Sequence, residues 1–207
     1  MAQNHVFWDK IAARYAKRPV GDAASYQIKL DKTRDYLTPH AQVLEFGCGT
    51  GTTALYHAPH VAQILALDIS HAMLEIARGK ARAAGIDNVA FQQKTLDDPS
   101  LDGLRFDVVM GHSILHLLAD YPAAIARVFE LLTPGGVFIS STACLKDLSL
   151  LLRPAIAVAQ ALGKAPEVAY FSKAELIAAL QGAGFAIDHI WQPGPRKAAF
   201  IVARKPV

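Results

Sequence analysis

Apolar residues recur in two rhythms along this chain. Near the start, Val6, Phe7, Ile11 and Tyr15 fall at helical spacing, and Pro19 with Gly21 ends that run. Asp22 then stands where an N-cap belongs and predicts a second helix to about Leu37, with Pro39 beyond its end. Past residue 41 the rhythm shortens. "QVLEF", "QILALD", "NVAFQQK", "FDVVMG" and "VFISS" read as strands, several of them unbroken apolar runs. Helices fall between them. Residues 51–58 form one, "HAMLEIARGKARAA" a second with Ser70 as cap and Gly85 as stop, and "YPAAIARVFELL" a third, ending at "TPGG". Strands that alternate with helices and run apolar throughout predict a parallel sheet covered on both faces. Residues 145–170 read as helical and apolar, interrupted by Pro154, Gly163 and Pro166. "FSKAELIAALQGAGF" opens with a capping box, Ser172 and Glu175, and "FAIDHIW" and "AAFIVARK" follow as an antiparallel pair suited to a sheet edge.

Composition narrows the picture. A length of 207 residues suits one domain over the whole chain. Hydrophobic residues make up 52%, enough for a core, and the charged fraction of 19% is too low for disorder. The net charge of +3 is scattered, with no basic stripe for a nucleic acid. Cys48 and Cys144 make neither a disulfide framework nor a metal site, and His5, His40, His57, His60, His71 and His189 show no metal-ligand spacing. Asp9, Lys10 and Arg14 stand where a secretion signal would need an apolar core. "LSLLLRPAIAVAQALG" is broken by Arg153 and Pro154 before it can span a bilayer. The expectation is a soluble, cytoplasmic protein with no membrane span and no nucleic-acid partner.

The chemistry concentrates in "QVLEFGCGTGTTAL". Gly47, Gly49 and Gly51 follow a buried strand, and in an open parallel sheet such a loop faces the ligand. Gly49, Gly51 and Ala54 fit the dinucleotide pattern G-x-G-x-x-A, and Asp68 ends the next strand, where an acid can bind ribose hydroxyls. Glu45 argues against a pyrophosphate. At the loop's mouth its carboxylate would repel a phosphate by on the order of a few kcal/mol, yet would suit a ligand bearing an ammonium.

"VLEFGCGTG" resembles the first motif of class I S-adenosylmethionine-dependent methyltransferases of the small-molecule type. "LALDIS", "FDVVMGHSILHLL", "LLTPGG" and "FSKAELIAALQGAGF" resemble later motifs of the same family, in order, over roughly residues 5–204. The resemblance implies a Rossmann-like three-layer α/β sandwich with a mostly parallel seven-stranded sheet and an antiparallel edge strand. N-terminal helices over residues 1–40 would form a lid, and residues 145–170 a helical cap. It implies S-adenosyl-L-methionine as cofactor, with S-adenosyl-L-homocysteine as product. Gly47, Gly49 and Gly51 would admit the methionine part, Cys48 and Thr50 would contribute mainly backbone, and Glu45 would hold the ammonium. Asp68 would accept from both ribose hydroxyls, with Ile69 and Met73 against the adenine. Relatives commonly carry Gly-Asp after the third strand. Here Lys94 and Thr95 stand in that place, so the adenine contact would fall to Thr95, the Leu96 amide and Asp97.

His112 and His116 are the candidate polar groups near the methyl, as a general base or as pocket lining. Tyr15 would close over the cofactor with Phe7 and Trp8, and Arg14 or Arg18 would meet its carboxylate. The expected activity is in-line methyl transfer to a small organic acceptor, with an apolar body suggested by the leucines near residue 150. A homodimer is compatible with the sequence. Two rivals stand beside this reading: a nicotinamide-dependent oxidoreductase, and a non-catalytic member that keeps the cofactor pocket.

Overall fold

A computed structural model describes residues 2–148 and 152–207. Two helices lead, α1 (Ala2–Lys17) and α2 (Ala23–Arg34). Then strand and helix alternate: β1 (Gln42–Phe46), α3 (Thr52–His57), β2 (Gln63–Asp68), α4 (His71–Ala84), β3 (Val89–Gln93), β4 (Phe106–His112), α5 (Tyr121–Leu131) and β5 (Leu132–Thr142). The chain ends with α6 (Leu152–Ala161), α7 (Lys173–Gly182), β6 (Ala186–Trp191) and β7 (Ala199–Arg204). The seven strands form one sheet in the order β3-β2-β1-β4-β5-β7-β6. β1 to β5 pair in parallel, and β7 runs antiparallel to both β5 and β6, closing that edge as an antiparallel pair.

The caps expected from sequence form. Asp22 accepts from the Ser25 N–H, Ser70 accepts from the Met73 N–H, and Ser172 and Glu175 satisfy each other's backbone donors. Gly85 ends α4 in the left-handed region. β5 departs from expectation by starting at Leu132, through "TPGG". Leu132 pairs with Phe106 ahead of a register shift, and the Gly135 N–H donates to Lys205, so a stretch that reads as a turn is held in the sheet. The cap expectation at 149–151 lies outside the described residues.

Side chains alternate across the strands and create two cores. Leu44, Phe46, Leu67, Val109 and Phe138 pack on one face under α5 and α7, with Ile125, Val128, Leu176 and Leu180. Val43, Ile64, Ala66, Val108, Met110 and Ile139 pack on the other with Ala54 of α3 and Leu74 and Ala77 of α4. No helix of the described residues is long and apolar enough to cross a membrane.

α1 is fastened to the body through Asp9. Its carboxylate accepts from the Ser70 hydroxyl at 2.6 Å and from the Ala72 N–H at 3.0 Å, so one helix supplies an acid to the N-terminus of another. Those bonds, the Ser70 hydroxyl first, hold the Asp9 pKa below its ordinary value. Asp9→Ala is expected to speed amide hydrogen exchange throughout α1 while leaving exchange in β1 and β4 unchanged. Equal acceleration in those central strands would show that Asp9 supports the whole fold rather than the docking of one helix.

Candidate functional site

The same alternation sets the site. Glu45 shares a face with Val43, Asp68 with Ala66, His112 with Met110, and Ser141 with Ile139. Four polar residues therefore line the carboxyl edge of one face, the face carrying α3 and α4. His112 and Ser141 are direct neighbours across β4 and β5.

The glycine loop bends over this edge. Gly47, Gly49 and Gly51 have φ of 66°, 54° and 71°, the left-handed region that favours glycine. They differ in why a side chain is refused. A Cβ at Gly47 would lie 2.7 Å from Ile114, and one at Gly51 2.8 Å from Ala77 and 2.9 Å from Phe91. A Cβ at Gly49 would meet nothing within 4 Å. Gly47 and Gly51 are thus packing glycines, and Gly49 presents bare backbone to open space. The Gly49 N–H donates to Asp68 Oδ2 at 2.7 Å, and the Ser70 N–H donates to Asp68 Oδ1 at 2.9 Å. Each carboxylate oxygen keeps a lone pair beyond these bonds. Lys80 braces the outer side, donating to the Thr50 carbonyl and to the Thr50 and Thr52 hydroxyls at 3.0–3.1 Å.

Glu45 lies beneath the loop, 2% exposed, and its Oε2 has no hydrogen-bond partner. Burial, and then the nearby Asp68 charge, push its pKa up to about 8, against a weaker opposing bond from the Ala54 N–H. Burial also raises the Asp68 pKa, opposed by its backbone donors. Two half-satisfied carboxyl groups in one site suit a cation. Among the described residues no cluster of His, Cys, Asp or Glu could hold a metal ion.

Beside the loop, over the ends of β4 and β5, lies a cavity of about 250 Å³. α2 supplies Tyr26 and Lys29 to its wall, the sheet edge His112 and Ser141, and the β6–β7 loop Lys197. His112 Nε2 is buried without a partner, and burial first, then the charges of His57 and Lys29, lower its pKa to about 3. The imidazole is therefore neutral. Ser113 follows at φ 55°, rare for a serine, with its N–H bonded to the Ser141 carbonyl at 2.6 Å. Tyr26 bonds Thr53 through its hydroxyl at 3.0 Å.

Residues 43–136 match the model of a methyltransferase domain family. An uncharacterised methyltransferase of Bacillus subtilis, YcgJ, is 32% identical over 108 residues, 52% of this chain and 42% of that protein. Its crystal structure superposes with a TM-score of 0.71, covering 87% of this chain and 99% of that one at 17% identity, which speaks to the fold. A trans-aconitate 2-methyltransferase of Deinococcus radiodurans is 41% identical over 101 residues, 48% of this chain and 36% of that protein. An S-adenosylmethionine-dependent methyltransferase of Mesorhizobium loti gives a TM-score of 0.72 at 22% identity, covering 89% of this chain and 99% of that chain. The likeness in sequence is thus to a methyltransferase domain over residues 43–136, and the likeness to the solved structures is one of fold. The chain spans 42% and 36% of the length of the two curated relatives.

The structure does not bring all the residues expected from sequence to one place. Glu45, Gly47, Gly49, Gly51 and Asp68 converge on the loop, as does the backbone of Cys48 and Thr50. The Cys48 side chain packs in the α3/α4 core, where burial raises its thiol pKa well above the ordinary value. Ile69 and Thr95 are half-buried along the β2–β3 side, whereas Met73 and the Leu96 side chain are buried within the protein. Tyr15 is exposed, its ring edge-on to Trp8 at 6.3 Å. The two histidines part company. His116 follows the strand, and its Nδ1 bonds the Thr142 hydroxyl at 3.0 Å on the opposite face from Ser141; it does not line the cavity. Tyr26, Lys29, Thr53, Ser113 and Ser141 were not expected from sequence. Only the period-two alternation of β5 carried a signal for Ser141.

Gly51→Ala and Gly49→Ala should separate packing from conformation. Both meet left-handed strain of about 1–2 kcal/mol, and Gly51→Ala adds a clash with Ala77 and Phe91. Urea unfolding should show Gly51→Ala as the more destabilised by a further 1–3 kcal/mol, roughly. Equal losses would mean that the Phe91 side chain yields freely.

Proposed function

We propose that this chain transfers a methyl group from S-adenosylmethionine to a small organic acceptor held in the cavity over β4 and β5. The observation that carries this reading is the buried, unpartnered Glu45 oxygen beneath a glycine loop whose central residue opens to free space. A pyrophosphate would set negative charge against Asp68 and leave the Glu45 carboxyl still harder to ionise. An ammonium would pair with the ionised form of Glu45, which favours the methionine half of this cofactor over a dinucleotide. The domain match and the relatives' names support the same class.

The cofactor supplies a methyl group on a sulfonium, already activated for in-line displacement. The protein's work is then to bind, align and exclude water. Glu45 holds the ammonium, and Gly49 lets the backbone approach the amino-acid part. Asp68, fixed by the Gly49 and Ser70 amides, accepts from the ribose hydroxyls with its remaining lone pairs. Ile69, Thr95 and the Leu96 amide border the adenine, with Met73 supporting that wall. α1 and α2 form the lid, with Tyr15 on its outer edge and Asp9 as its fastening, and residues 152–170 cap the acceptor side. His112 faces the acceptor as a neutral imidazole. With a pKa of about 3 it is a weak base, so its role is to accept a hydrogen bond and orient the acceptor rather than to remove a strongly held proton. His116 positions the loop after β4 through Thr142.

Differential scanning fluorimetry tests the class. S-adenosylhomocysteine at 100 times its dissociation constant should add about 2.7 kcal/mol of stability, and NAD should add none. The reverse result would favour the oxidoreductase. Asp68→Asn, which removes one charged acceptor but keeps a carbonyl for the loop, should weaken that ligand by about tenfold or more in calorimetry.

Affinity should also depend on pH. The free protein holds Glu45 protonated below about pH 8, so its ionisation in the fold costs stability as pH rises from 4.5 through that value. A ligand ammonium favours the ionised form, so binding expels a proton in this window. S-adenosylhomocysteine affinity should therefore rise between pH 6 and 8, by at most about tenfold per unit, and then level off. Glu45→Gln should flatten that slope. A slope that survives the substitution would assign the proton to another group.

A further inference from the structure

Lys29 stands out within the cavity. Its Nζ donates to the Ser141 hydroxyl at 2.8 Å, and among the described residues no carboxylate pairs with it. An ammonium carries three donors, so two remain. The cavity's own acid is already occupied. Asp22 accepts from the Ser25 N–H at 3.1 Å and from Lys197 Nζ at 3.1 Å. His112, beside Ser141 in the paired strand, is neutral. Lys29 and Lys197 against Asp22 leave the lining one positive charge in excess. Burial lowers the Lys29 pKa, as expected of an ammonium short of partners. Val20, Leu30 and Pro193 give the same cavity an apolar wall.

We propose that the cavity takes a small monocarboxylic acid as methyl acceptor, its carboxylate held by Lys29 Nζ and Ser141 Oγ and its apolar body against Val20, Leu30 and Pro193. The proposal rests on the methyl-transfer reading. Position separates this anchor from the cofactor: Glu45, Gly49 and Asp68 serve β1 and β2, whereas Lys29 meets β5, two strands from β1. One excess charge matches one carboxylate. A phosphate would bring a second negative charge that the lining leaves unmatched. Lys29 is a lysine among hydroxyls rather than a guanidinium fork, so it acts as a point charge and the hydroxyl fixes direction.

The test is calorimetry on the full chain with benzoate, phenylacetate and hexanoate, each beside its methyl ester, with and without saturating S-adenosylhomocysteine. At least one acid should bind, and its ester should bind about tenfold more weakly or not at all. Lys29→Met, which keeps the stem and removes the charge, should abolish the preference of acid over ester, and Lys29→Arg should keep most of it. S-adenosylhomocysteine affinity should stay within about twofold in Lys29→Met. A loss of S-adenosylhomocysteine binding in Lys29→Met, with 5′-methylthioadenosine unaffected, would overturn the proposal and give Lys29 to the cofactor's carboxylate. So would a panel in which no acid binds, or in which acid and ester bind alike in wild type. That last comparison needs no variant, so it stands even if Lys29→Met fails to fold. If the wild type binds neither S-adenosylhomocysteine nor 5′-methylthioadenosine, the methyl-transfer reading falls instead, and acid binding without cofactor still reports on Lys29.

Discussion

A strand buried on both faces has one strict rule: each step along it changes sides. In this protein that rule places the chemistry. β1, β2 and β4 are apolar through most of their length, as is β5 from Val137 to Ile139, so the polar residues near their carboxyl ends stand out, and their parity decides whether they can meet. Glu45, Asp68, His112 and Ser141 have the same parity relative to the shared core of Val43, Ala66, Met110 and Ile139. A slip of one residue in any of these strands would send its polar group to the other face, beneath α5 and α7, where Phe138 and Leu176 leave no water. The burial that fixes the register is thus what assembles the site.

The burial also has an electrostatic cost. Lifting a carboxyl pKa from 4.5 to about 8 corresponds to a few kcal/mol of disfavoured charge, roughly. A residue selected for stability alone would be apolar at position 45, like Val43 and Met110 beside it. The cost makes sense if a cation completes the site, because the same low dielectric that penalises the lone carboxylate strengthens its pairing. Asp68 is a milder case. Burial raises its pKa too, but two backbone amides already hold it and offset part of that penalty.

Much of this could be read from the chain. The caps at Asp22, Ser70 and Ser172 followed from local chemistry, because a cap is made by residues three apart. Glu45, the glycines and Asp68 were legible because they sit near the carboxyl ends of two consecutive strands and in the loop between β1 and α3. Lys29 was not. Its partner Ser141 is 112 positions away, and nothing around Lys29 in α2 sets it apart from the lysines nearby. Their meeting depends on α2 crossing the sheet toward β5, which no local pattern encodes. The histidines show the same limit in another form. His112 and His116 lie four apart and look like a pair, but a strand ends between them, and the turn sends His116 to Thr142 on the other face. Helical spacing has no meaning across such a boundary.

The cavity's chemistry bears on how much catalysis the acceptor itself must bring. Its polar groups are a neutral imidazole, the hydroxyls of Ser25, Tyr26, Thr53, Ser113 and Ser141, two lysines, and the Asp22 carboxylate, which is already held by the Ser25 N–H and Lys197. None is a strong base at neutral pH. An acceptor that must lose a tightly held proton would find no group here to take it. A carboxylic acid is already ionised under such conditions, so its oxygen is a competent nucleophile once water is removed. Lys29 would then stabilise the acid before transfer more than after it, since the charge disappears as an ester forms. An anchor placed directly on the reacting oxygen would therefore slow the step, because only interactions stronger in the transition state accelerate it. Holding the carboxylate at Lys29 and Ser141 by one oxygen, with the other toward the neutral His112 ring, would lessen this conflict, because the reacting oxygen would then carry no ion pair of its own.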